Sequence, residues 1–299
     1  MNLRSLSYLV ALADHRHFGK AAEICFVSQP ALSMQIKKLE NYLGIQLLER
    51  TNKSVLLTEL GLTLAEKARQ IITQIEELKA TAKLSKDPYG GELRIGVIPT
   101  LAPYLLPYIM QPISSAFPRL TIYLVEKQTD SIVRRLEKGN LDATILALPI
   151  AREDFVTLPL FKEDFMLAVP KHHALSRRKT IRQTELANQN LLLLEDGHCL
   201  RDQALAVCQA TKANELNNFR ATSLETLRHM VSNGVGMTLI PKLACKKNDR
   251  ITYLEFNHPR PSRMIGMQWR ASSAKEKLLK DMADKIKKIA SNQKILNTS

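Results

Sequence analysis

The sequence lacks any long apolar run. No stretch reaches the ~18 residues that a membrane span needs, although hydrophobic residues make up 45% of the 299 positions. The first residues, Met1 to Tyr8, mix charged and polar side chains with apolar ones, so no secretory signal peptide is expected. We therefore expect a protein of the cytoplasm that has no membrane partner.

Cysteine is also scarce. Four cysteines in 299 residues do not make a disulfide framework in a cytoplasmic chain. No Cys-x-x-Cys or His-x-x-x-His spacing suggests a metal site, and no cofactor is expected. The chemistry of each cysteine must therefore be argued from its own surroundings: Cys25, Cys199, Cys208 and Cys245.

Negative charge is in deficit. The chain has 43 Lys and Arg against 29 Asp and Glu, a net charge of +14, which suits a polyanionic partner. Residues 1–90, however, hold 12 Lys and Arg and 9 Asp and Glu. Most of the excess lies further on, partly in a Lys-rich tail after residue 274. Charge alone therefore does not locate a nucleic-acid surface.

Residues 1–57 have the pattern of a small helical domain. Apolar spacing predicts a helix over 2–13 and a shorter one around 21–24. Ser28 before Gln29-Pro30 is typical of an N-cap followed by proline in the first turn. The third helix that begins there ends at Gly44, and its predicted buried stripe is Leu32, Ile36, Leu39 and Leu43. Two short helices joined by a tight turn form a helix-turn-helix.

Two further elements follow this domain. Residues 46–57 predict a hairpin with a basic tip, the wing of a winged helix. Residues 58–87 predict a linker helix of ~45 Å, since 62–87 contain neither Gly nor Pro. An apolar heptad stripe along it favours a dimer coiled coil, the alternative being packing on its own domain. That stripe is Leu64, Ala68, Ile71, Ile75, Leu78 and Ala82.

From residue 88 the chain has the pattern of an α/β domain that follows a hinge at Pro88-Tyr89-Gly90-Gly91. Strands alternate with helices, which predicts parallel sheets covered on both faces. Two groups of strands predict two lobes within 88–299. Lobe I would take about 88–162 and 268–299, and lobe II about 163–267. The cleft between such lobes is a natural ligand site.

The best candidate for chemistry is His198-Cys199-Leu200-Arg201-Asp202, at a predicted helix start. The helix N-terminus, Arg201 and His198 would each favour the thiolate of Cys199, the form that reacts with peroxide to give a sulfenic acid. Cys208 lies nine residues on. In a continuous helix the two Cα atoms would be ~13 Å apart, whereas a disulfide tolerates ~7 Å. A bond would need unwinding, and spacing alone leaves two unrelated thiols as the alternative.

The segment FGKAAEICFVSQPALSMQIKKLENYLGIQLLER resembles the winged helix of LysR-type transcriptional regulators over about 60 residues. The long helix, the hinge and the two-lobed region are similar to the rest of that family. The resemblance implies an α/β fold with an N-terminal all-α winged helix-turn-helix and a periplasmic-binding-protein-like regulatory domain.

Within the family, LLLLEDGHCLRDQALAVC and FRATSLETLRHMVSNGVGMTLIP are similar to the hydrogen-peroxide sensors. This implies a homotetrameric activator of oxidative-stress genes, not an enzyme. Peroxide would drive a reversible intramolecular disulfide between Cys199 and Cys208. Double-stranded DNA, hydrogen peroxide, further copies of the chain and RNA polymerase are the expected partners.

The helix-turn-helix also indicates DNA-contacting residues. The start of a recognition helix meets base edges, and side chains further along it or on the wing reach phosphates or the flanking minor groove. A solvated surface charge is the alternative for each lysine, and Cys25 is interpreted as core packing. The candidates are Arg4, Ser28, Gln29, Pro30, Ser33, Lys37, Lys38, Arg50 and Lys53.

The resemblance adds residues around the sensing thiol. Thr100 matches a hydroxyl of the ligand cleft and would donate a hydrogen bond to peroxide beside Cys199, with Thr129 a weaker candidate. Arg263 matches an arginine expected near that thiol, and Asp202 would hold Arg201 or relay protons. Cys245 is interpreted as a bystander.

Two other functions remain open. A LysR-type regulator could respond to a small organic anion bound between its lobes; the cysteine pair and its flanks argue against this. A thiol peroxidase could use Cys199, but such an enzyme has no need of a helix-turn-helix.

Overall fold

The computed structural model describes residues 1–50, 55–84, 87–150, 152–246 and 250–292. The chain forms two compact units, Met1–Ser85 and Lys86–Ser299, and each is described by itself. Among the helices of the described ranges, none is long and apolar enough to cross a bilayer.

The first unit packs three helices, a hairpin and a long helix. Asn2 caps the first helix through its side chain, and Ser28 caps the third. Gly44, in the left-handed region at φ 70°, ends the third helix. The elements are α1 (Leu3–His15), α2 (Phe18–Ile24), α3 (Gln29–Leu43), β1 (Leu48–Arg50), β2 (Val55–Leu57) and α4 (Glu59–Leu84).

A two-stranded hairpin and a long helix lie where the wing and the linker helix are expected. β1 and β2 pair antiparallel, with Leu48 opposite Leu57. The hydroxyl of Thr58 accepts from the backbone N–H of Gly61 at 2.9 Å and donates to the carbonyl of Gln46 at 3.0 Å. Thr58 therefore caps α4 and ties it to the chain that enters the hairpin.

Helix α4 is buried only along part of its length. Ala65 and Ala68 are buried, and Arg69 forms a two-pronged ion pair with Asp14 of α1 at 2.8 and 3.1 Å. Further along, Ile71 is 40% exposed and Leu78 is 69% exposed. The first half of the heptad stripe thus packs within its own unit, while apolar positions of the second half face solvent.

The second unit alternates strands with helices. The first group of elements is β3 (Gly91–Val97), α5 (Ala102–Ala116), β4 (Leu120–Glu126), α6 (Thr129–Glu137), β5 (Ala143–Leu148) and β6 (Phe155–Pro170). The second group is β7 (Thr180–Ile181), β8 (Asn190–Leu194), α7 (Cys199–Thr211), β9 (Asn214–Ala221), α8 (Leu224–Ser232), β10 (Thr238–Pro241), β11 (Ile251–Phe256), β12 (Ser262–Arg270) and α9 (Glu276–Asn292).

The hydrogen-bonded strand order is β4-β3-β5-β12-β6-β11-β7, with β10 also paired to β6 and with β8 paired to β9. Strands β3, β4 and β5 are parallel, as are β8 and β9. The prediction of parallel sheets is nevertheless wrong for the centre of the unit. Strand β12 runs antiparallel to β5 and β6, and β10 and β11 run antiparallel to β6.

Strand β6 connects the two halves of this unit. Residues 155–164 pair with β12, and residues 165–170 pair with β10 and β11.

Three hydrophobic clusters surround these strands. The first core cluster includes Leu93, Ile145, Met267, Trp269 and Ile286. The second includes Phe165, Leu192, Leu224 and Ile240. The third includes Val169, Leu193, Val207, Cys208 and Leu239.

Candidate DNA interface and redox site

Most of the predicted DNA contacts lie on α3 or at its N-cap. Leu32, Ile36 and Leu39 are buried, so the opposite side of the helix is turned outward. The side chain of Ser28 accepts from the backbone N–H of Ala31 at 3.4 Å, and Ser33 is half-buried. The exposed candidates are Arg4, Ser28, Gln29, Pro30, Lys37 and Lys38.

The wing is described only in part. Arg50 is the last residue of β1, so the backbone places it at the end of the hairpin strand. Lys53 lies outside the described residues. The electrostatic contribution of the wing tip therefore stays a prediction.

Cys199 and Cys208 lie on one uninterrupted helix. Helix α7 runs from Cys199 to Thr211, and both thiols are free. Nine residues of helical rise place the two Cα atoms ~13 Å apart, beyond the ~7 Å that a disulfide allows. The structure therefore holds the dithiol form, in which the two sulfurs cannot bond.

The two thiols have different surroundings. Cys199, the first residue of α7, is half-buried and packs against the first core cluster. Cys208 is buried in the third core cluster, 4% exposed. Burial raises the pKa of the Cys208 thiol, and the negative charge of Glu215 raises it further. Cys199 is thus the accessible thiol at a helix N-terminus, and Cys208 is a protonated core residue.

Arg201 is fixed by carboxylates that the sequence did not indicate. Its guanidinium donates to Glu215 at 2.7 and 3.0 Å, to Asp196 at 2.8 Å and to the carbonyl of Leu194 at 3.0 Å. The interpretation that Asp202 holds Arg201 is wrong. Asp202 is exposed and lies in the first turn of α7, where its charge suits the helix dipole.

His198 does not supply the positive charge that was expected beside Cys199. Its side chain is 4% exposed, and burial lowers its pKa, which favours the neutral imidazole. The carboxylate of Glu195 lies 4.0 Å away. Arg201 is already paired with Asp196 and Glu215, so of the three features expected beside Cys199 the one present is its position at the start of α7.

Arg263 and Thr100 are brought together at the start of β12. Arg263 donates to the hydroxyl and to the carbonyl of Thr100, both at 3.0 Å. It also forms a fully buried ion pair with Glu163 at 2.7 Å, and Glu163 accepts from the backbone N–H of Leu243 at 3.0 Å. Because the Thr100 hydroxyl accepts from Arg263, its own proton is left to donate.

The remaining candidates are placed separately. The hydroxyl oxygen of Thr129 is buried and has no hydrogen-bond partner among the described residues. Cys25 packs against the core of the first unit, where burial raises its pKa. Burial raises the pKa of Cys245 to about 12. Neither Cys25 nor Cys245 is therefore in a setting that favours a thiolate.

Three carboxylates with partners in these clusters were not predicted from the sequence: Glu163, Asp196 and Glu215. Glu163 is the middle residue of three consecutive charged residues in β6. Nothing in the sequence indicates that its side chain, and not a neighbouring one, is fully buried. Asp196 and Glu215 are 5 and 14 residues from their partner Arg201. Position along the chain could not have indicated those pairs, because they depend on the pairing of β8 with β9.

Both units match one family of known proteins. Residues 3–62 match the bacterial regulatory helix-turn-helix proteins of the lysR family, and residues 86–290 match the LysR substrate binding domain. The DNA-binding transcriptional dual regulator OxyR of Escherichia coli K12 is 46% identical over 290 residues, covering 96% of this chain and 95% of that protein.

Two solved structures are also similar. A full-length OxyR variant from Pseudomonas aeruginosa has a TM-score of 0.79 at 36% identity, over 96% of this chain and 94% of that one. A cysteine mutant of Corynebacterium glutamicum OxyR with bound H2O2 has a TM-score of 0.67 at 32% identity, over 97% and 92%. The chain belongs to the LysR family of helix-turn-helix transcription regulators.

Proposed function

We propose that this chain is a hydrogen-peroxide-sensing transcription regulator that activates oxidative-stress genes and is switched by a reversible Cys199–Cys208 disulfide. The observation that carries the proposal is the pair of thiols on α7, one half-buried at the helix start and one in the core. The similarity to proteins named OxyR, one of them with H2O2 bound, supports the same function.

The proposed chemistry has two steps. The Cys199 thiolate attacks one peroxide oxygen, the O–O bond breaks, and the departing hydroxide leaves as water after taking a proton; Cys199 becomes a sulfenic acid. The Cys208 sulfur then attacks the Cys199 sulfur. The S–S bond forms and the sulfenic hydroxyl leaves as a second water with the Cys208 proton. Overall two thiols are oxidised and one peroxide is reduced to two waters.

The groups around Thr100 have a role in this proposal. The Thr100 hydroxyl, fixed by Arg263, has a proton to donate, so it can hydrogen-bond a peroxide oxygen. Thr129, whose hydroxyl oxygen is buried without a partner among the described residues, is a second candidate for such a contact. Arg263 acts by positioning Thr100, since its guanidinium is already engaged by Glu163 and Thr100.

The helix makes the second step a conformational switch. The Cα atoms of Cys199 and Cys208 must come closer by at least ~6 Å, the difference between a helical separation of ~13 Å and the ~7 Å limit of a disulfide. This requires residues 199–208 to unwind. A change of this size in one segment is a suitable signal to pass to a DNA-binding unit.

The partners follow from the proposed function. Double-stranded DNA is bound by α3 and the wing. The exposed part of the α4 stripe supports a dimer coiled coil, within a homotetramer that contacts RNA polymerase in the cytoplasm. The protein consumes one peroxide for each oxidation and is not an enzyme.

DNA binding measured with reduced and with peroxide-treated protein tests the proposed function. Peroxide should change the footprint on a target promoter, and a dithiol reductant should restore the original footprint. A footprint that is insensitive to peroxide while Cys199 is oxidised would contradict the proposal.

A further inference from the structure

Glu215 lies outside residues 199–208, the segment that must unwind, whereas its ion-pair partner Arg201 lies inside that segment. Arg201 is two residues after Cys199 in α7, and Glu215 is on β9. Their side chains form a two-pronged ion pair with distances of 2.7 and 3.0 Å. The side chain of Arg201 is 6% exposed and that of Glu215 is 14% exposed.

Such a pair is stronger than an ordinary surface ion pair. Two parallel charge-assisted hydrogen bonds fix the guanidinium in the plane of the carboxylate, and little water is present to screen them. Asp196 and the carbonyl of Leu194 also accept from Arg201. All these acceptors lie on or beside the β8–β9 pair, so the first turn of α7 is held against that pair.

We propose that Glu215 is a positioning residue that holds α7 in its dithiol conformation and thereby sets how readily the Cys199–Cys208 disulfide forms. This inference rests on the proposed function. Unwinding residues 199–208 moves Arg201 away while Glu215 stays on its strand. The ion pair therefore stabilises the dithiol form and is lost on the way to the disulfide.

The negative charge of Glu215 acts in the same direction on Cys208. Burial raises the pKa of the Cys208 thiol most, and the charge of Glu215 raises it further. A Cys208 that stays protonated is a poor nucleophile toward the Cys199 sulfenic acid. Glu215 thus restrains both the helix and the resolving thiol.

The test is the reduction potential of the cysteine pair in E215Q, measured by equilibration with a dithiol redox buffer and thiol counting. Weakening the ion pair destabilises the dithiol form, so the disulfide should become harder to reduce. We expect an equilibrium constant about tenfold more in favour of the disulfide, which is about 30 mV more negative for a two-electron couple.

E185Q is the matched control. Glu185 also forms a two-pronged ion pair with an arginine, but Arg178 lies outside 199–208, so the potential should stay at the parent value. When E215Q is added to R201Q, the potential should shift little further than in R201Q alone, since the Arg201–Glu215 pair is already absent there. An unchanged potential in E215Q, or an equal shift in E185Q, would overturn the inference.

Should E215Q fail to fold, R201K tests the same pair from the other side. Lysine keeps the charge but loses the two-pronged geometry, so the potential should move in the same direction by a smaller amount. An unchanged potential in folded R201K would then overturn the inference. The absence of a Cys199–Cys208 bridge in the parent protein would instead contradict the proposed function.

Discussion

The difference between two thiols on one helix is the main observation at the scale of single residues. Cys199 is half-buried at a helix N-terminus, and Cys208 is a core residue whose pKa is raised by burial. The nearby cations contribute less than the sequence indicated, because His198 is kept neutral by burial and Arg201 is bound by Glu215 and Asp196. Of the three features expected beside Cys199, its position at the start of α7 is the one that the structure leaves in place.

Single cysteine substitutions should separate the two roles. C199S should abolish the response to peroxide, because a serine hydroxyl has no comparable nucleophilicity at neutral pH. C208S should still lose one thiol to peroxide, but a sulfenic acid should accumulate because the resolving sulfur is gone. Thiol counting with a sulfenic-acid trap measures both. C245S is the control and should respond like the parent; a peroxide response in C199S would show that another sulfur is the sensor.

A negative charge introduced at Ser33 tests the proposed DNA-facing side of α3. Ser33 is half-buried at the edge of the outward face of α3, about 100° around the helix from Leu32, so S33D should leave the fold intact. It should weaken specific binding by more than about tenfold, since one base contact is worth ~1–3 kcal/mol and phosphates repel the carboxylate. Gel-shift titration measures the loss. T63D is the control, because it adds the same charge at an exposed position of α4. Equal losses of DNA affinity in both variants would mean that Ser33 is not at the interface.

At the scale of elements, predictions succeeded where the signal was local. Helix α3 could be placed because Ser28, Pro30, Gly44 and the apolar stripe are all within one segment. The full extent of strand β6 could not be predicted, because Lys162, Glu163 and Asp164 interrupt its apolar pattern. Glu163 is buried there because Arg263, 100 residues away, pairs with it. The paired acceptors of Arg201 were missed for the same reason.

The linker helix supports a test of assembly. Ile71 is 40% exposed on α4, so I71D costs the folded unit little but places a charge in the proposed dimer seam. Light scattering should show a shift from dimers or tetramers to monomers, with weaker DNA binding. Q70D adds the same charge to an exposed position off the stripe and should assemble normally. An unchanged oligomer in I71D would exclude the coiled-coil assignment.

At the scale of the whole molecule, the proposed signal begins in the Lys86–Ser299 unit and is read by the Met1–Ser85 unit. The switch itself is a short segment, residues 199–208, held by burial of Cys208 and by the Arg201–Glu215 pair. A segment that cannot form its disulfide without leaving the native helix has two discrete states. Such a segment gives an all-or-none response to oxidation.

The identity of the disulfide is the most direct test of this account. Mass spectrometry of peroxide-treated, alkylated protein should show Cys199 bridged to Cys208 as the dominant product, with Cys25 and Cys245 recovered as free thiols. Reduction with a dithiol should return all four cysteines to the free state. A dominant bridge to Cys25 or Cys245, or a preserved DNA-binding response without any bridge, would contradict the mechanism.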